Sequence, residues 1–261
     1  MLILLAKITM SERERDASSP VESELHSLPF REFVTHFRDR IVHALYPIGE
    51  DYLKSPQKKV FDIIGSISFV PILTPPIIGT AVAIKLDDGG PVLFIHTRVG
   101  RDGEEYGMIK LRSMIPNAPS VRKQMGEEKF RKNPDDPRIT KVGRFIRHWS
   151  VDELPQFINV LRGEMSLVGV RPQTQDRIDY LKEIDSLRDI YPDWVKSYHI
   201  CKPGMASLST IRGRALLDQS EHGFRRRMRY DTFYVKHASL GWDFQLLFQD
   251  IKTMISRKGA F

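Results

Sequence analysis

One uncharged run dominates the polarity pattern of this chain. Between Asp62 and Lys85 it reads IIGSISFVPILTPPIIGTAVAI, roughly 22 residues, long enough as a helix to reach across the hydrocarbon core of a bilayer. Pro71, Pro75 and Pro76 fall in its middle. Each proline removes a backbone donor and crowds the preceding turn, so the pattern predicts a break at Thr74-Pro75-Pro76. Lys54, Lys58 and Lys59 precede the run, and Lys85 and Arg98 follow it. Positive charge favours the cytoplasmic side, so basic flanks at both ends predict a re-entrant segment that dips into one leaflet, bends and returns. An ordinary span with a kink and a pair of buried core helices are the alternatives.

The remaining pattern is that of a mixed globular domain. Met10 to Glu24 is polar, without apolar period, and reads as disordered. Phe30, Phe33, Val34, Phe37, Ile41 and Leu45 recur at helical spacing opposite Arg31, Arg38 and Arg40, an amphipathic helix able to lie at a membrane interface or to pack on its own domain. Pro91 to Ile95 reads as a strand, Val99 to Glu105 with Gly100, Asp102 and Gly103 as a hairpin turn, and Tyr106 to Leu111 as the returning strand. Helices are predicted around Glu127 to Arg131, over Ile139 to Trp149, through Leu154, Phe157, Ile158 and Leu161 up to Gly163, over Ile178 to Ile190 and over Arg226 to His237. A last one, Trp242 to Ile255, places Phe244, Leu247, Phe248, Ile251 and Ile255 on one face ahead of Arg257 and Lys258. The sum is a helix-rich α+β fold with little strand. Four regions follow: residues 1–26 disordered, 27–54 an extra amphipathic helix and linker, 55–86 the membrane segment, and 87–261 the globular domain.

Composition narrows the partners. The net charge of +7 fits nucleic acid, an anionic membrane surface or a phosphorylated substrate, and the apolar run favours the last two. Cys201 is the single cysteine, which excludes an internal disulfide and a cysteine-based metal site. Met1 to Ile8 lacks a basic region before it and a small-residue cleavage site after it, so no signal peptide is expected. No second uncharged stretch of spanning length occurs, so a polytopic membrane protein is not expected.

Candidate chemistry concentrates between Asp136 and Pro172. Asp152 and Glu153 are adjacent just before Pro155, a residue favoured at the first helical position. A helix N-terminus there would attract anions and hold the carboxylates ionised. An ionised aspartate can attack phosphorus, and a carboxylate beside it can hold Mg²⁺ together with substrate phosphate oxygens. Ser150-Val151-Asp152-Glu153 equally fits a capping box in which Glu153 only caps the helix. The basic company tips the balance toward chemistry: Lys110, Arg112, Arg138, Arg147 and Arg171 flank the pair in sequence, and arginine forks match phosphate oxygens. No phosphate-binding glycine loop, dinucleotide fingerprint or zinc-spaced histidine pair occurs. His148 is the histidine nearest the carboxylates.

These residues resemble those of the monotopic phosphoglycosyl transferases, bacterial sugar transferases that begin glycan assembly on a polyprenol phosphate. The resemblance covers about residues 55 to 261 and rests on motifs in the family's order. They are Lys58-Lys59-x-x-Asp62, the proline-broken run, Gly90-Pro91-Val92-Leu93-Phe94 and Arg98-x-Gly100-x-x-Gly103. Lys110-Leu111-Arg112-Ser113-Met114, Asp136-Pro137-Arg138-Ile139-Thr140 and Ser150 to Gln156 come next. Asn159-Val160-Leu161, Met165 to Gly169, Arg171-Pro172, Lys202-Pro203-Gly204 and Gly213-Arg214 complete the series.

The resemblance implies a monotopic protein of the cytoplasmic face of the bacterial inner membrane, with a re-entrant membrane helix and a small catalytic domain. It implies that Asp152 attacks a nucleoside diphosphate sugar, a UDP-sugar for choice, that Glu153 holds Mg²⁺, and that polyprenol phosphate accepts the phosphosugar. Lys110, Arg112, Arg138, Arg147, Arg171 and Arg214 would bind phosphates. The C-terminal helix would help seat the domain on the membrane. Val170 stands where the family has proline, Pro75 where it has serine, and Met205-Ala206-Ser207 where it has Ile-Thr-Gly. Those departures leave room for an inactive membrane scaffold of the same fold. A nucleic-acid-binding protein, suggested by charge alone, is disfavoured by the apolar run.

Overall fold

The structure, a computed structural model, describes residues 47–118, 121, 136–212 and 220–255. The helices expected around 27–45 and 127–131, the polar N-terminus, Arg214, Arg257 and Lys258 lie outside the described residues.

A short helix α1 (Glu50–Lys54) leads into α2 (Pro56–Asp88), 33 residues long. Ser55 opens α2 by accepting a bond from the Lys58 N–H, with Pro56 behind it in the first turn, and Gly89 closes it in the left-handed conformation. The proline break expected at Thr74-Pro75-Pro76 does not interrupt the helical backbone: Pro71, Pro75 and Pro76 all sit inside one helix. Thr74 Oγ1 donates to the Val70 carbonyl at 2.7 Å, tying the proline turn to the preceding one. It is long and apolar enough to cross a membrane, and only 6% of its most apolar stretch is buried. Ile64, Ile67, Ile72, Ile78 and Val82 are all exposed.

Both ends of α2 are fixed to the globular part. At the start, Lys58 donates to the Val168 carbonyl at 2.9 Å and pairs with Asp243, while Asp62 accepts from Ser166 Oγ at 2.9 Å and the Leu167 N–H at 3.0 Å. At the far end Ile84 is buried with Leu111 and Ile146, and Asp88 receives the fork of Arg112. Lys58, one of the basic residues flanking the run, is therefore a buried ion-pair partner.

The hairpin is close to expectation. Strands β1 (Leu93–Val99) and β2 (Glu105–Leu111) pair antiparallel, with Phe94 opposite Lys110 and Arg98 opposite Tyr106. A 3₁₀ turn over Arg101–Gly103 joins them, with Asp102 and Gly103 at positive φ. Next come α3 (Lys141–His148), a 3₁₀ turn over Val151–Gln156, and α4 (Phe157–Leu161). Strand β3 (Ser166–Val168) then pairs in parallel with β4 (Gly204–Ala206), a sheet the hydrophobic pattern did not predict. Its strands meet with no space for side chains at the crossing: a Cβ on Gly169 would lie 2.2 Å from the Lys202 carbonyl oxygen, and one on Gly204 2.1 Å from the Gly169 nitrogen.

The single charged helix expected over 178–190 is instead α5 (Gln175–Lys182) and a 3₁₀ turn over Asp185–Leu187, and α6 (Tyr191–Ile200), with Pro192 in its first turn, follows. Helices α7 (Leu208–Ile211), α8 (Glu221–His237) and α9 (Leu240–Ile255) follow. The main core gathers Tyr52, Phe61, Val168, Trp194, Tyr234 and Leu246. In α9 the apolar side chains divide. Leu246 is 1% exposed, whereas Phe244 and Phe248 of the expected apolar face are 58% and 70% exposed. Phe244 meets Phe61 of α2 edge-on at 5.0 Å, so the outward apolar side of α9 adjoins the root of α2.

Candidate active site

The carboxylate pair sits on the 3₁₀ turn between α3 and α4, not at an α-helix N-terminus. Ser150, just before the turn, holds the left-handed conformation (φ 55°), and its side chain makes no cap bond. Its N–H is given to the Arg147 carbonyl at 3.1 Å. The capping box therefore does not form, and Glu153 turns to Lys110 Nζ at 2.8 Å instead.

Asn159 places the turn against the hairpin. It is fully buried, its Oδ1 accepts from the Ile109 N–H at 3.0 Å, and its Nδ2 donates to the Gly107 carbonyl at 2.8 Å and to Glu164 at 2.7 Å. An amide side chain thus substitutes for a neighbouring strand along β2 and docks the start of α4 beside Lys110.

The electrostatics reverse one expectation. Asp152 is pushed up to about 6 and not held low. Burial is the main cause and the adjacent Glu153 the second, with Lys110 and Arg147 pulling the other way. A carboxylate in that range keeps a more basic, more nucleophilic oxygen while staying mostly ionised near neutral pH. Arg147 projects from α3, braced by a bond from its Nε to Ser113 Oγ at 2.8 Å. The brace is possible because α3 runs hard against residue 113: a Cβ on Gly143 would lie 1.9 Å from the Ser113 carbonyl oxygen. Arg171 comes from the segment after β3. Its backbone carbonyl accepts from Tyr198 Oη, and its Nη1 donates to Thr210 Oγ1 at 2.6 Å. Thr210 is in turn held by Ser207 at 2.7 Å.

A cleft between these elements is lined by Arg98, Lys110, Glu153, Gln156, Arg171 and Thr210, among others. Of the expected site residues, Lys110, Glu153 and Arg171 line it, while Asp152 stands next to Glu153 on the turn with Lys110 and Arg147 near enough to favour its charge. Arg112 and Arg138 do not present free forks. Arg112 is buried, with Nη1 and Nη2 on Asp88 and further bonds to the Pro91 and Met114 carbonyls. Arg138 forks onto Asp136, with Nε at 2.7 Å. Those forks hold Asp88 down to about 2 and Asp136 below the usual carboxylate range. Thr74, Pro75 and Pro76 stand in the apolar part of α2, and His148 meets Trp149 edge-on.

The sequence departures are accommodated. Val170 is buried, bridges Pro203, and its carbonyl accepts from the Gly204 N–H at 2.8 Å. Met205 lines the cleft, Ala206 closes β4, and Ser207 caps α7. Arg98 and Asn159 were missed as site residues. The signal for Arg98 was strand alternation, which puts it on one face of the hairpin with His96, Met108 and Lys110.

No cluster of three or more potential protein metal ligands occurs among the described residues. The adjacent carboxylates suit a weaker demand, since Mg²⁺ is commonly held by one or two carboxylates plus substrate phosphates.

The fold pairs one exposed apolar helix with a cationic cleft that Glu153 of the adjacent carboxylate pair lines. Comparison with known proteins supplies the class. The family model for bacterial sugar transferases matches residues 53–257, and the chain belongs to that family. It is 36% identical over 218 residues to the UDP-galactose-lipid carrier transferase of Erwinia amylovora, covering 78% of this chain and 41% of that one. It is 31% identical over 231 residues to the exopolysaccharide production protein ExoY of Sinorhizobium fredii, covering 84% and 92%. It is 32% identical over 205 residues to the UDP-glucose:undecaprenyl-phosphate glucose-1-phosphate transferase of Caulobacter vibrioides, covering 78% and 72%. The chain thus spans about two fifths of the length of several curated relatives, the first of these included.

Proposed function

We propose that this protein is a phosphoglycosyl transferase that moves a sugar 1-phosphate from a UDP-sugar to a polyprenol phosphate of the undecaprenyl type. The observation that carries the reading is Asp152, a carboxyl pushed up to about 6 beside Glu153, with Lys110 and Arg147 favouring its charge, next to a cleft lined by Lys110, Glu153 and Arg171. The substrate classes follow those of the relatives, a UDP-galactose-lipid carrier transferase and a UDP-glucose:undecaprenyl-phosphate glucose-1-phosphate transferase.

An Asp152 carboxylate oxygen attacks the β-phosphorus of the donor. The bond from that phosphorus to the bridging oxygen breaks, and its electron pair leaves with UMP. The phosphosugar is then an acyl phosphate on Asp152. An oxygen of the polyprenol phosphate attacks the same phosphorus, returns the electron pair to the Asp152 carboxylate, and leaves as polyprenol diphosphate sugar. Lys110, Arg147 and Arg171 neutralise the approach of an anionic nucleophile to an anionic donor. Mg²⁺, when bound, would add neutralisation across the diphosphate, with Glu153 as its protein ligand.

The acceptor is a lipid, so the site must stand at the membrane surface. We place the chain on the cytoplasmic face of the bacterial inner membrane, with α2 as a re-entrant, monotopic helix. Support comes from its two anchored ends: Lys58 and Asp62 hold one, and Arg112 with the Ile84 cluster holds the other, all on the same globular unit. A crossing helix would leave its ends on opposite sides of about 30 Å of hydrocarbon. The outward phenylalanines of α9 beside the α2 root extend the apolar surface.

The test is to incubate the detergent-solubilised protein with Mg²⁺, polyprenol phosphate and a panel of UDP-sugars and to measure UMP. Turnover that Asp152→Asn abolishes, together with a phosphosugar mass adduct on Asp152, supports the reading. A wild type silent with every sugar would favour the scaffold.

A further inference from the structure

Three cationic side chains enter the cleft, and they are not equivalent. Lys110 is paired with Glu153, and Arg171 is held by Thr210. Arg98 forms no ion pair among the described residues; its one side-chain partner is His96, whose Nδ1 lies 3.2 Å from Nη2. His96 is pushed down to about 4 by burial and by the charges of Arg98 and Lys110, so near neutral pH the ring is uncharged and Nδ1 accepts. The Nε of Arg98 is buried without a hydrogen-bond partner. Burial and the neighbouring Arg171 disfavour the charge of Arg98.

A half-buried guanidinium whose Nε is a buried, unused donor, beside a second guanidinium, costs free energy unless an anion completes the site. Its position says which anion. The reacting phosphorus must stand at Asp152, on the turn that Lys110 and Arg147 flank. Arg98 sits at the other end of the hairpin face, opposite Tyr106, while Lys110 is opposite Phe94. A diphosphate donor carries its second phosphate one bridging oxygen away from the first, and that group needs its own cations to become a good leaving group.

We propose that Arg98 and Arg171 form the second half of a diphosphate cradle and bind the phosphate of the departing UMP, leaving Lys110 and Arg147 to the phosphate being transferred. This rests on the transferase reading above and assigns Arg98 a role within it. Arg98 has the geometry for a two-pronged bond through Nε and an Nη, which a lysine cannot reproduce.

The experiment is equilibrium binding of UMP to the full-length, detergent-solubilised protein with Mg²⁺, alongside steady-state kinetics in both substrates. Arg98→Met is expected to weaken UMP binding at least about tenfold, with Arg98→Lys in between. KM for polyprenol phosphate should stay within about twofold of the wild type. Arg98→Lys keeps the charge and most of the stem, so it reports even if Arg98→Met fails to fold. UMP affinity within twofold of wild type in both variants, or a loss confined to KM for polyprenol phosphate, overturns the cradle while the transferase reading stands on wild-type turnover and the Asp152 adduct. A wild type that binds no UMP and forms no adduct overturns both.

Discussion

Two clusters of charge lie on this molecule, and they are built to opposite rules. At the root of α2, Lys58, Asp62, Asp243, Tyr52 and Tyr234 close on one another. Asp243 accepts from Tyr52 at 2.9 Å, from Tyr234 at 2.8 Å and from Lys58. Lys58 further holds the Val168 carbonyl, and Asp62 takes the Ser166 hydroxyl and the Leu167 N–H. In the cleft, Lys110 meets Glu153, but Arg98 keeps a buried donor unused and Asp152 is held above its ordinary titration range. A cluster that only holds helices together satisfies itself. The cleft leaves a donor and a charge unsatisfied, at a cost to folding, as the proposed substrate site would require.

The largest expected effect tests the cleft. Asp152→Asn should lower UMP release at least about 10⁴-fold, the scale of removing a covalent nucleophile, with the fold intact by circular dichroism. Residual turnover within tenfold of wild type would mean that the attacking oxygen is elsewhere.

The next tests the root. Asp243→Ala removes the acceptor shared by Tyr52, Tyr234 and Lys58, leaving Lys58 with Asp62 at 3.4 Å, and should cost about 3–5 kcal/mol in denaturant unfolding. A loss under about 1 kcal/mol would show that Lys58 escapes to solvent and that the cluster is not closed.

Arg171 and Arg112 separate the rules more finely. Arg171→Met should lower turnover about 10²- to 10³-fold while moving stability by no more than about 0.5 kcal/mol. Arg112→Met should do the reverse and destabilise by about 1–3 kcal/mol, because its donors serve Asp88 and two carbonyls. An equal loss of turnover in both at unchanged stability would put Arg112 in the substrate site.

The smallest effect is in pH. Turnover should fall about tenfold per unit below pH 6 as Asp152 takes up its proton. Because the folded carboxyl binds that proton more tightly than an unfolded aspartate near 3.9, folding is favoured below about pH 4. That benefit is lost as pH rises through 6. Asp152→Asn should therefore be more stable than wild type at pH 7.5, by roughly 1–3 kcal/mol, with the gain gone below about pH 4. A stability difference that does not change with pH would show that Asp152 is not strained by ionisation.

Much of this was readable from the residues, and the failures share a cause. The hairpin declared itself because Gly100, Asp102 and Gly103 bracket alternating strands, and α3, α8 and α9 because their periods are long. The β3–β4 pair did not, since three-residue strands are set by what they meet and not by local preference. Helix 178–190 was drawn too long because its charges hide the turn at Asp185–Leu187. Of the expected site residues, Lys110, Glu153 and Arg171 line one cleft, with Asp152 on the same turn as Glu153. Arg112 looks like them in sequence because its carboxylate, Asp88, is brought to it by the fold, whereas the partner of Arg138 is Asp136, two residues away and already visible in the chain. The prolines of α2 were weighed as breakers, yet the helix runs through them. A helix interior tolerates proline when surrounding groups compensate, and a side chain such as Thr74 can tie adjacent turns.

The touching backbones at Gly169 and Gly204 set a boundary for anyone wishing to re-tool the enzyme for another sugar. A side chain at either glycine would wedge β3 from β4 and carry the Arg171 arm away from Lys110, so these positions are closed to redesign. Met205 and Thr210 line the same cleft from β4 and α7, one strand-end away from that pinch point. They are where a library of variants has room to reshape recognition without dislodging the scaffold beneath it.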